Sequence, residues 1–256
     1  MPNLRVGVQL EPQHTTYASY AKAVREVEAL GVDTIWNWDH LLPPYGNHRG
    51  RHFEAWTLLA AMAALTSRVE IGSMVTCNSY RNPALLATMA KTVDHISGGR
   101  LILGIGAGWF EREYREYGYA FGTARDRLKA LAAALPLIKQ RWRVERPAPV
   151  RNPIPICIGG EGEQLTLKLV AQHADIWNGF GPLENFKRKS EVLDRWCAEI
   201  GRDPKTLERS VLTAAYAART LDRLVAAGAR HIIVALRDPW NFATIEHLVR
   251  WRDSRR

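Results

Sequence analysis

The chain has 256 residues, 46% of them hydrophobic and 24% charged, and carries a net charge of +9 at pH 7. No apolar run approaches the roughly 20 residues that a membrane-spanning helix requires, and residues 1–5 lead into a predicted strand without the apolar stretch of a signal peptide. We therefore expect a soluble, cytoplasmic protein with no membrane partner and with one domain over residues 1–256, long enough to bury a sizeable core.

Eight short, mostly β-branched runs alternate with stretches of helical periodicity from one end of the chain to the other. Several runs are almost continuously apolar, which suits parallel strands that are covered on both faces. Many helical stretches end at a glycine, such as Gly31, Gly201 or Gly228. The pattern predicts a (β/α)8 TIM barrel. Its predicted strands are Leu4–Leu10, Val32–Trp38, Val69–Thr76, Leu101–Ile105, Ile154–Ile158, Ala174–Asn178, Arg209–Ala214 and Arg230–Ala235.

Polar, glycine and aromatic residues follow most of the predicted strands. Because the C-terminal ends of the strands of such a barrel meet at one mouth, we expect the chemistry there. Three tryptophans fall at strand ends, where their faces could wall a pocket for a flat ring or an apolar substrate. The predicted substrate pocket comprises Gln9, Glu11, Trp38, Trp109 and Trp177.

The second predicted strand ends in Asp39 and His40, a carboxylate next to an imidazole. The imidazole can exchange protons near neutral pH, and the carboxylate can orient it or stabilise its charge. An isolated pair of this kind is more often a helix cap beside a satisfied histidine. The position at the barrel mouth, together with the family resemblance described below, favours the catalytic interpretation for both residues.

Two glycine-rich segments follow the fourth and fifth strands. Residues 104–108 depart from the dinucleotide-binding pattern G-x-G-x-x-G and lack a partner acid, so we expect their glycines to let a ligand approach the backbone closely. Residues 159–163 precede a predicted helix, whose backbone N–H groups could bind an anion. A simple turn is the alternative for this second loop.

Three cysteines, Cys77, Cys157 and Cys197, are widely spaced and form no C-x-x-C pair, so no metal site is predicted. Cys157 and Cys197 are expected to be packing residues, whereas Cys77 follows a strand and could line the pocket. The basic residues are spread over predicted helices without any nucleic-acid-binding signature. We expect a small-molecule substrate and no nucleic-acid partner, and a positive charge favours an anionic ligand.

Several segments together carry a family resemblance: residues 31–40, 80–87, 97–101, 104–110, 158–163, 174–178 and 201–204. In this ordered set the chain resembles the bacterial-luciferase-like flavin monooxygenase superfamily and, within it, the oxidoreductases that depend on coenzyme F-420, an 8-hydroxy-5-deazaflavin. The resemblance covers almost the whole chain. It implies a (β/α)8 barrel and, for related dehydrogenases, a histidine matching His40 beside the reactive ring carbon of the cofactor.

The resemblance also implies a cofactor site. Relatives carry a cis peptide, here Met74–Val75, that makes a bulge behind the ring, and they place the phosphate-bearing tail near residues 159–163, so that Glu161 and Glu163 would have to point away. The implied cofactor-binding residues are Asp39, Ser73, Met74, Val75, Thr76, Cys77, Gly106, Gly108, Gly159, Gly160, Gly162 and Glu163.

The chain departs from the resemblance in two respects. Trp109 stands where the sugar-phosphate dehydrogenases of the group have a glutamate that helps the proton step. The segments between Leu137 and Ile154 and between Ser210 and Gly228 are shorter than in many relatives, which implies a more open pocket or one completed by a partner subunit. By analogy, a homodimer is expected.

Three functions remain open from the sequence. The first is hydride transfer between coenzyme F-420 and a small organic substrate, since a carbon replaces the flavin nitrogen at which oxygen chemistry begins. The second is an FMN-dependent monooxygenase or reductase on the same scaffold. The third is a barrel that has lost catalysis and binds a protein or nucleic acid.

Overall fold

Parallel strands close into a barrel in the computed structural model, which describes residues 4–214 and 217–255. The strands are β1 (Arg5–Leu10), β2 (Thr34–Asn37), β3 (Glu70–Ser73), β4 (Thr76–Cys77), β5 (Leu101–Gly106), β6 (Ile156–Gly159), β7 (Ile176–Phe180), β8 (Glu208–Leu212) and β9 (His231–Leu236). The sheet runs in the order β3-β2-β1-β9-β8-β7-β6-β5-β4, and β3 also pairs with β5, which closes the ring. The predicted barrel is therefore confirmed, and its predicted third strand is split into β3 and β4. The expected path of residues 1–3 lies outside the described residues.

Helices surround the barrel: α1 (Tyr17–Ala29), α2 (Ala55–Leu65), α3 (Pro83–Ser97), α4 (Glu111–Glu116), α5 (Ala124–Val144), α6 (Thr166–His173), α7 (Leu183–Glu199), α8 (Ala218–Ala226) and α9 (Phe242–Asp253). Local sequence sets their ends. The Asn82 side chain accepts from the first backbone N–H groups of α3, Pro83 opens that helix, and Gly98 ends it in the left-handed conformation. Among the described residues, no helix combines the length and apolar character needed to cross a membrane.

The core has two layers. A large apolar layer lies between the strands and the helices, and it includes Cys197. A smaller cluster fills the barrel, with Trp36, Met74 and Cys157 among its members. Cys157 and Cys197 are both buried packing residues, as predicted.

A polar network closes the N-terminal end of the barrel, opposite the expected site. Arg5 bonds to Glu208 at 3.1 Å and also pairs with Glu70. Burial lowers the pKa of His231, so its neutral ring donates from Nδ1 to Glu208 at 2.9 Å and accepts from the Thr34 hydroxyl at 2.8 Å. Burial alone would raise the pKa of Glu208, but the hydrogen bond from His231 and the charge of Arg5 hold it at about 2.

Replacing Glu208 with glutamine should lower the free energy of unfolding by about 1–3 kcal/mol near neutral pH. Because the folded pKa lies below the ordinary value, the carboxylate stabilises the fold above about pH 5 and loses this effect as the pH falls toward its folded pKa. Urea unfolding across that range should show the gap between the wild type and E208Q shrinking in acid. The exposed Glu191→Gln serves as the control. A gap that is independent of pH would contradict the charged pairing.

Candidate active site

A cavity of about 630 Å³ opens at the C-terminal ends of the strands. This volume lies within the range of small-molecule sites. Met74 and Val75 form part of its wall, and aromatic side chains cover much of the remainder: Trp38, Tyr45, Tyr80, Trp109, Phe110 and Phe180. The mouth of the barrel is thus mainly apolar, with a few polar groups set among rings.

The gap between β3 and β4 forms a bulge into this cavity. The Met74–Val75 peptide is cis, as the resemblance implied. The Gln9 amide donates to the Met74 carbonyl at 2.7 Å, and the Met74 N–H donates to the Asn37 carbonyl at 2.8 Å. Hydrogen bonds from β1 and β2 therefore hold the bulge in place, and Val75 projects toward the glycines of β5 and β6.

Those glycines make room for protein side chains. A Cβ atom on Gly106 would lie 2.6 Å from a Val75 methyl, and one on Gly159 would lie 2.7 Å from the other methyl. Gly108 has a φ of +84°, and a Cβ there would meet the hydroxyl of Tyr114 at 2.0 Å. Val75 and Tyr114 thus occupy the space that a side chain at these three positions would need. The three glycines also line the cavity, and their expected role in letting a ligand approach the backbone stays a prediction.

Replacing Gly159 with alanine should therefore displace Val75 and lower the free energy of unfolding by about 1–3 kcal/mol. The matched background is Val75→Ala, which removes the two methyl groups that the new Cβ would strike. In that background the same glycine substitution should cost clearly less, as measured by urea unfolding of the four proteins. Equal costs in the two backgrounds would show that Val75 is not the reason for the glycine.

His40 lines the cavity, and its partner is a buried glutamate on α4. His40 Nδ1 lies 2.9 Å from Glu113 Oε2, which also accepts from the Tyr80 hydroxyl at 2.6 Å. The other oxygen of Glu113 accepts from the backbone N–H groups of Leu41, at 2.5 Å, and of Leu42, at 2.9 Å. Burial raises the pKa of Glu113, but these hydrogen bonds and His40 outweigh it and leave the pKa lowered. The ionised carboxylate fixes the ring and leaves Nε2 for the cavity.

Asp39 does not orient His40, which corrects the predicted pairing. Its two oxygens bind Arg81, at 2.6 and 3.0 Å, and one of them also accepts from the Cys77 N–H at 2.9 Å. Burial raises the pKa of Asp39, and Arg81 and the Cys77 N–H oppose that rise. Asp39 therefore anchors the end of β4 to the segment that follows β2, while still contributing to the cavity wall.

Most residues predicted for the site lie around the cavity. Those in its wall are Gln9, Glu11, Trp38, Asp39, His40, Met74, Val75, Cys77, Gly106, Gly108, Trp109, Gly159 and Gly160. Ser73, Thr76, Gly162, Glu163 and Trp177 are not among the lining residues. Ser73 and Thr76 are buried beside the bulge, and their hydroxyls have no hydrogen-bond partner within the described part of the chain.

The prediction that Trp177 lines the substrate pocket is corrected by its position. It is fully buried and stacks on Phe186 of α7, with ring centroids 5.4 Å apart. Successive residues of a strand point to opposite faces, and Ile176 belongs to the cluster inside the barrel. Trp177 therefore points outward, where its Nε1 donates to the Gly160 carbonyl at 2.9 Å.

The acidic residues of the loop after β6 are held outside the cavity. Glu161 accepts from the Phe180 N–H at 2.8 Å, and Glu163 pairs with Arg188 at 2.7 Å and Lys189 at 2.9 Å. Both carboxylates thus face away, as the resemblance required. Glu163 was expected among the cofactor-binding residues, but its side chain lies among the basic residues of α7, outside the cavity wall.

Sequence reasoning missed Glu113, Tyr80 and Arg81 as parts of the site. Glu113 lies in the first turn of α4, and no spacing in the sequence links it to His40, 73 residues earlier. The structure also adds Arg127 to the wall, from the first turn of α5. Its guanidinium donates to the Gly108 carbonyl at 3.1 Å and lies over the Phe121 ring.

The remaining titratable groups of the wall differ in their environments. Burial raises the pKa of the Cys77 thiol to about 11, so the thiol stays protonated and is a poor nucleophile. Burial also raises the pKa of Glu11, against the opposing effects of Arg237, 3.5 Å away, and of Gln13. Within residues 4–214 and 217–255, no group of three His, Cys, Asp or Glu side chains is arranged to hold a metal ion.

The fold and the bulged mouth define a luciferase-like barrel. The chain belongs to the luciferase-like monooxygenase family, whose family model matches residues 4–255.

Individual relatives carry names that refer to coenzyme F-420. The chain is 32% identical over 142 residues to an F-420-dependent glucose-6-phosphate dehydrogenase of Amycolatopsis mediterranei, covering 54% of this chain and 42% of that protein. It is 28% identical over 254 residues to a 5,10-methylenetetrahydromethanopterin reductase of Archaeoglobus fulgidus, covering 91% of this chain and 69% of that protein. The chain spans about half the length of several curated relatives that it matches.

Solved structures share the barrel. An F-420-dependent secondary alcohol dehydrogenase in complex with an F-420–acetone adduct superposes with a TM-score of 0.85 at 16% identity, covering 99% of both chains. At this identity the likeness shows the common fold.

Proposed function

We propose that this chain is an oxidoreductase that transfers a hydride between coenzyme F-420 and a small organic substrate. The observation that carries the proposal is the position of His40. Its Nδ1 is fixed by Glu113, and its ring lines a cavity that also contains the Met74–Val75 bulge. A ring nitrogen prepared in this way beside a flat, apolar wall suits proton transfer coupled to hydride transfer.

The cavity residues fit a flat ring with an anionic tail. Val75 gives the wall an apolar surface, and the buried hydroxyls of Ser73 and Thr76 lie beside it. The loop after β6 leads into α6, and Leu165, the residue before this helix, offers no side-chain cap. The Leu167 N–H donates to the Gly162 carbonyl, and we assign the other backbone N–H groups of the first turn to a phosphate or carboxylate. We assign the deazaflavin ring of the cofactor to the bulge and its anionic tail to this loop.

When bound, F-420 would supply or accept a hydride at a ring carbon. The protein positions the substrate, keeps bulk water from it with aromatic side chains, and manages one proton. In the oxidation of an alcohol, His40 Nε2 would accept the hydroxyl proton as the carbon atom that bears the hydroxyl gives up its hydride to the oxidised cofactor. In the reverse direction Nε2 returns that proton to the carbonyl oxygen. Glu113 stabilises the imidazolium that forms in between.

We further propose that the protein acts in the cytoplasm, as a homodimer, on a small molecule and without a nucleic-acid partner. The family relationship supports the small-molecule site, and the positive charge of +9 suits the anionic tail of the cofactor.

Titration of the purified protein with F-420 and with FMN, each oxidised and reduced, tests the proposal through the quenching of tryptophan fluorescence. Trp38 and Trp109 line the cavity and should report binding. We expect micromolar binding of F-420 and much weaker binding of FMN. The opposite preference would favour an FMN-dependent monooxygenase or reductase. Binding of neither, with salt-sensitive retention of DNA, would favour a barrel without catalysis.

A further inference from the structure

We propose that the substrate of this site is an uncharged aromatic alcohol, or the matching aromatic carbonyl compound, and that Trp109 selects it. This inference rests on the proposed function, because it assigns the occupant of the space next to His40. The structural basis is a set of aromatic rings around that histidine and the negative charge of Glu113 beside it.

Three aromatic rings surround His40. The centroid distances to its ring are 5.8 Å from Trp38, 5.6 Å from Trp109 and 5.8 Å from Phe110, and all three pairs are edge to face. Trp109 and Phe110 also lie 5.3 Å apart, with planes only 33° from parallel. The group that reacts next to His40 must therefore fit among flat apolar surfaces.

Trp109 offers the largest uncovered part of these surfaces. Its side chain is 59% exposed although it lines the cavity, and Tyr45, also in the wall, is 54% exposed. Large exposed aromatic side chains that lie together at a cavity mouth are typical of ligand sites. An aromatic ring of the substrate would cover the face of Trp109 and exclude water from His40.

The charges of the cavity disfavour an anionic substituent near the reacting atoms. Arg237 pairs with Glu11 at 3.5 Å, and Arg81 is bound to Asp39. Arg127 donates to backbone carbonyls, one of them that of Gly108. Arg81 and Arg237 are thus paired with carboxylates, Arg127 is held by backbone carbonyls, and Glu113 places a negative charge beside His40. A phosphate or carboxylate next to the His40 ring would be repelled by Glu113.

Acetophenone and 4-acetylbenzoate form a matched pair of probes, because they differ only in the carboxylate, and acetone lacks the ring. Binding to the protein, with and without F-420, is measured by saturation-transfer NMR, and kcat/KM is measured with reduced F-420. We expect acetophenone to bind roughly tenfold or more tightly than either control probe. Trp109→Ala should abolish most of that preference and W109F should retain it. The exposed Tyr17→Ala, on α1, is the matched control.

Two results would overturn the inference: binding of 4-acetylbenzoate or acetone as tight as that of acetophenone, or an acetophenone affinity that W109A leaves unchanged. Neither depends on turnover, so the inference can fail while F-420 still binds. Conversely, a Trp109-dependent preference for acetophenone in a protein that does not bind F-420 would support the substrate class and reject the proposed function.

Discussion

Replacing His40 with alanine should lower kcat by about 10²- to 10⁴-fold while leaving the dissociation constant of F-420 within a few-fold. The reason is that His40 Nε2 is assigned the proton of the substrate, whereas the cofactor is assigned to the bulge at Met74–Val75. The measurement is steady-state turnover with a competent substrate, together with a fluorescence titration of the cofactor.

Two controls separate this role from a loss of structure. His40 lies in a loop after β2, and its truncation leaves the Glu113 bonds to Leu41 and Leu42 intact, so the unfolding transition should move little. H40Q retains a polar side chain but cannot accept and return a proton as imidazole does, and it should be as impaired as H40A. Unchanged turnover in either variant would remove His40 from the mechanism.

Replacing Glu113 with glutamine should lower kcat by about 10- to 10³-fold, because the ring would lose the anion that stabilises its protonated form. The rate profile should also move toward lower pH, a change that a purely structural role would not produce. Glutamine would present an N–H₂ group to neighbours that donate hydrogen bonds, the N–H groups of Leu41 and Leu42 and the Tyr80 hydroxyl, so the free energy of unfolding should fall by about 1–3 kcal/mol.

The matched control for Glu113 is Tyr80→Phe, which removes one hydrogen bond to the carboxylate and keeps its charge. Y80F should retain most of the turnover and the wild-type pH profile. Because the folded pKa of Glu113 is lowered, its contribution to stability is present at neutral pH and is lost as the pH falls. If E113Q kept the wild-type pH profile, Glu113 would have only a structural role.

The barrel could be predicted from the sequence because eight strand and helix periods repeat, and each period is a local property. The exact ends of the strands were less predictable. The predicted strand Ala174–Asn178 begins at Ile176 in the structure and continues to Phe180. The split of the predicted third strand into β3 and β4 depends on hydrogen bonds between Met74 and residues of β1 and β2. Contacts between distant strands leave no periodic signal in a single sequence.

The site was predictable in position and less so in detail. His40 and the cavity wall followed from the rule that strand ends meet at one mouth, together with the family resemblance. The rule did not decide whether Asp39 or Glu113 is the partner of His40, because adjacent residues at the end of a strand point in different directions. Trp177 illustrates the same limit, since a one-residue offset in a strand turns a side chain from the cavity to the outer core.

A crystal structure of the protein with F-420 would test the central claim most directly. The account predicts electron density for the deazaflavin ring against Met74 and Val75, with its reactive carbon on the side of His40, and for the tail near residues 159–162. A ring bound elsewhere, or a cavity that stays free of cofactor at saturating F-420, would contradict the account.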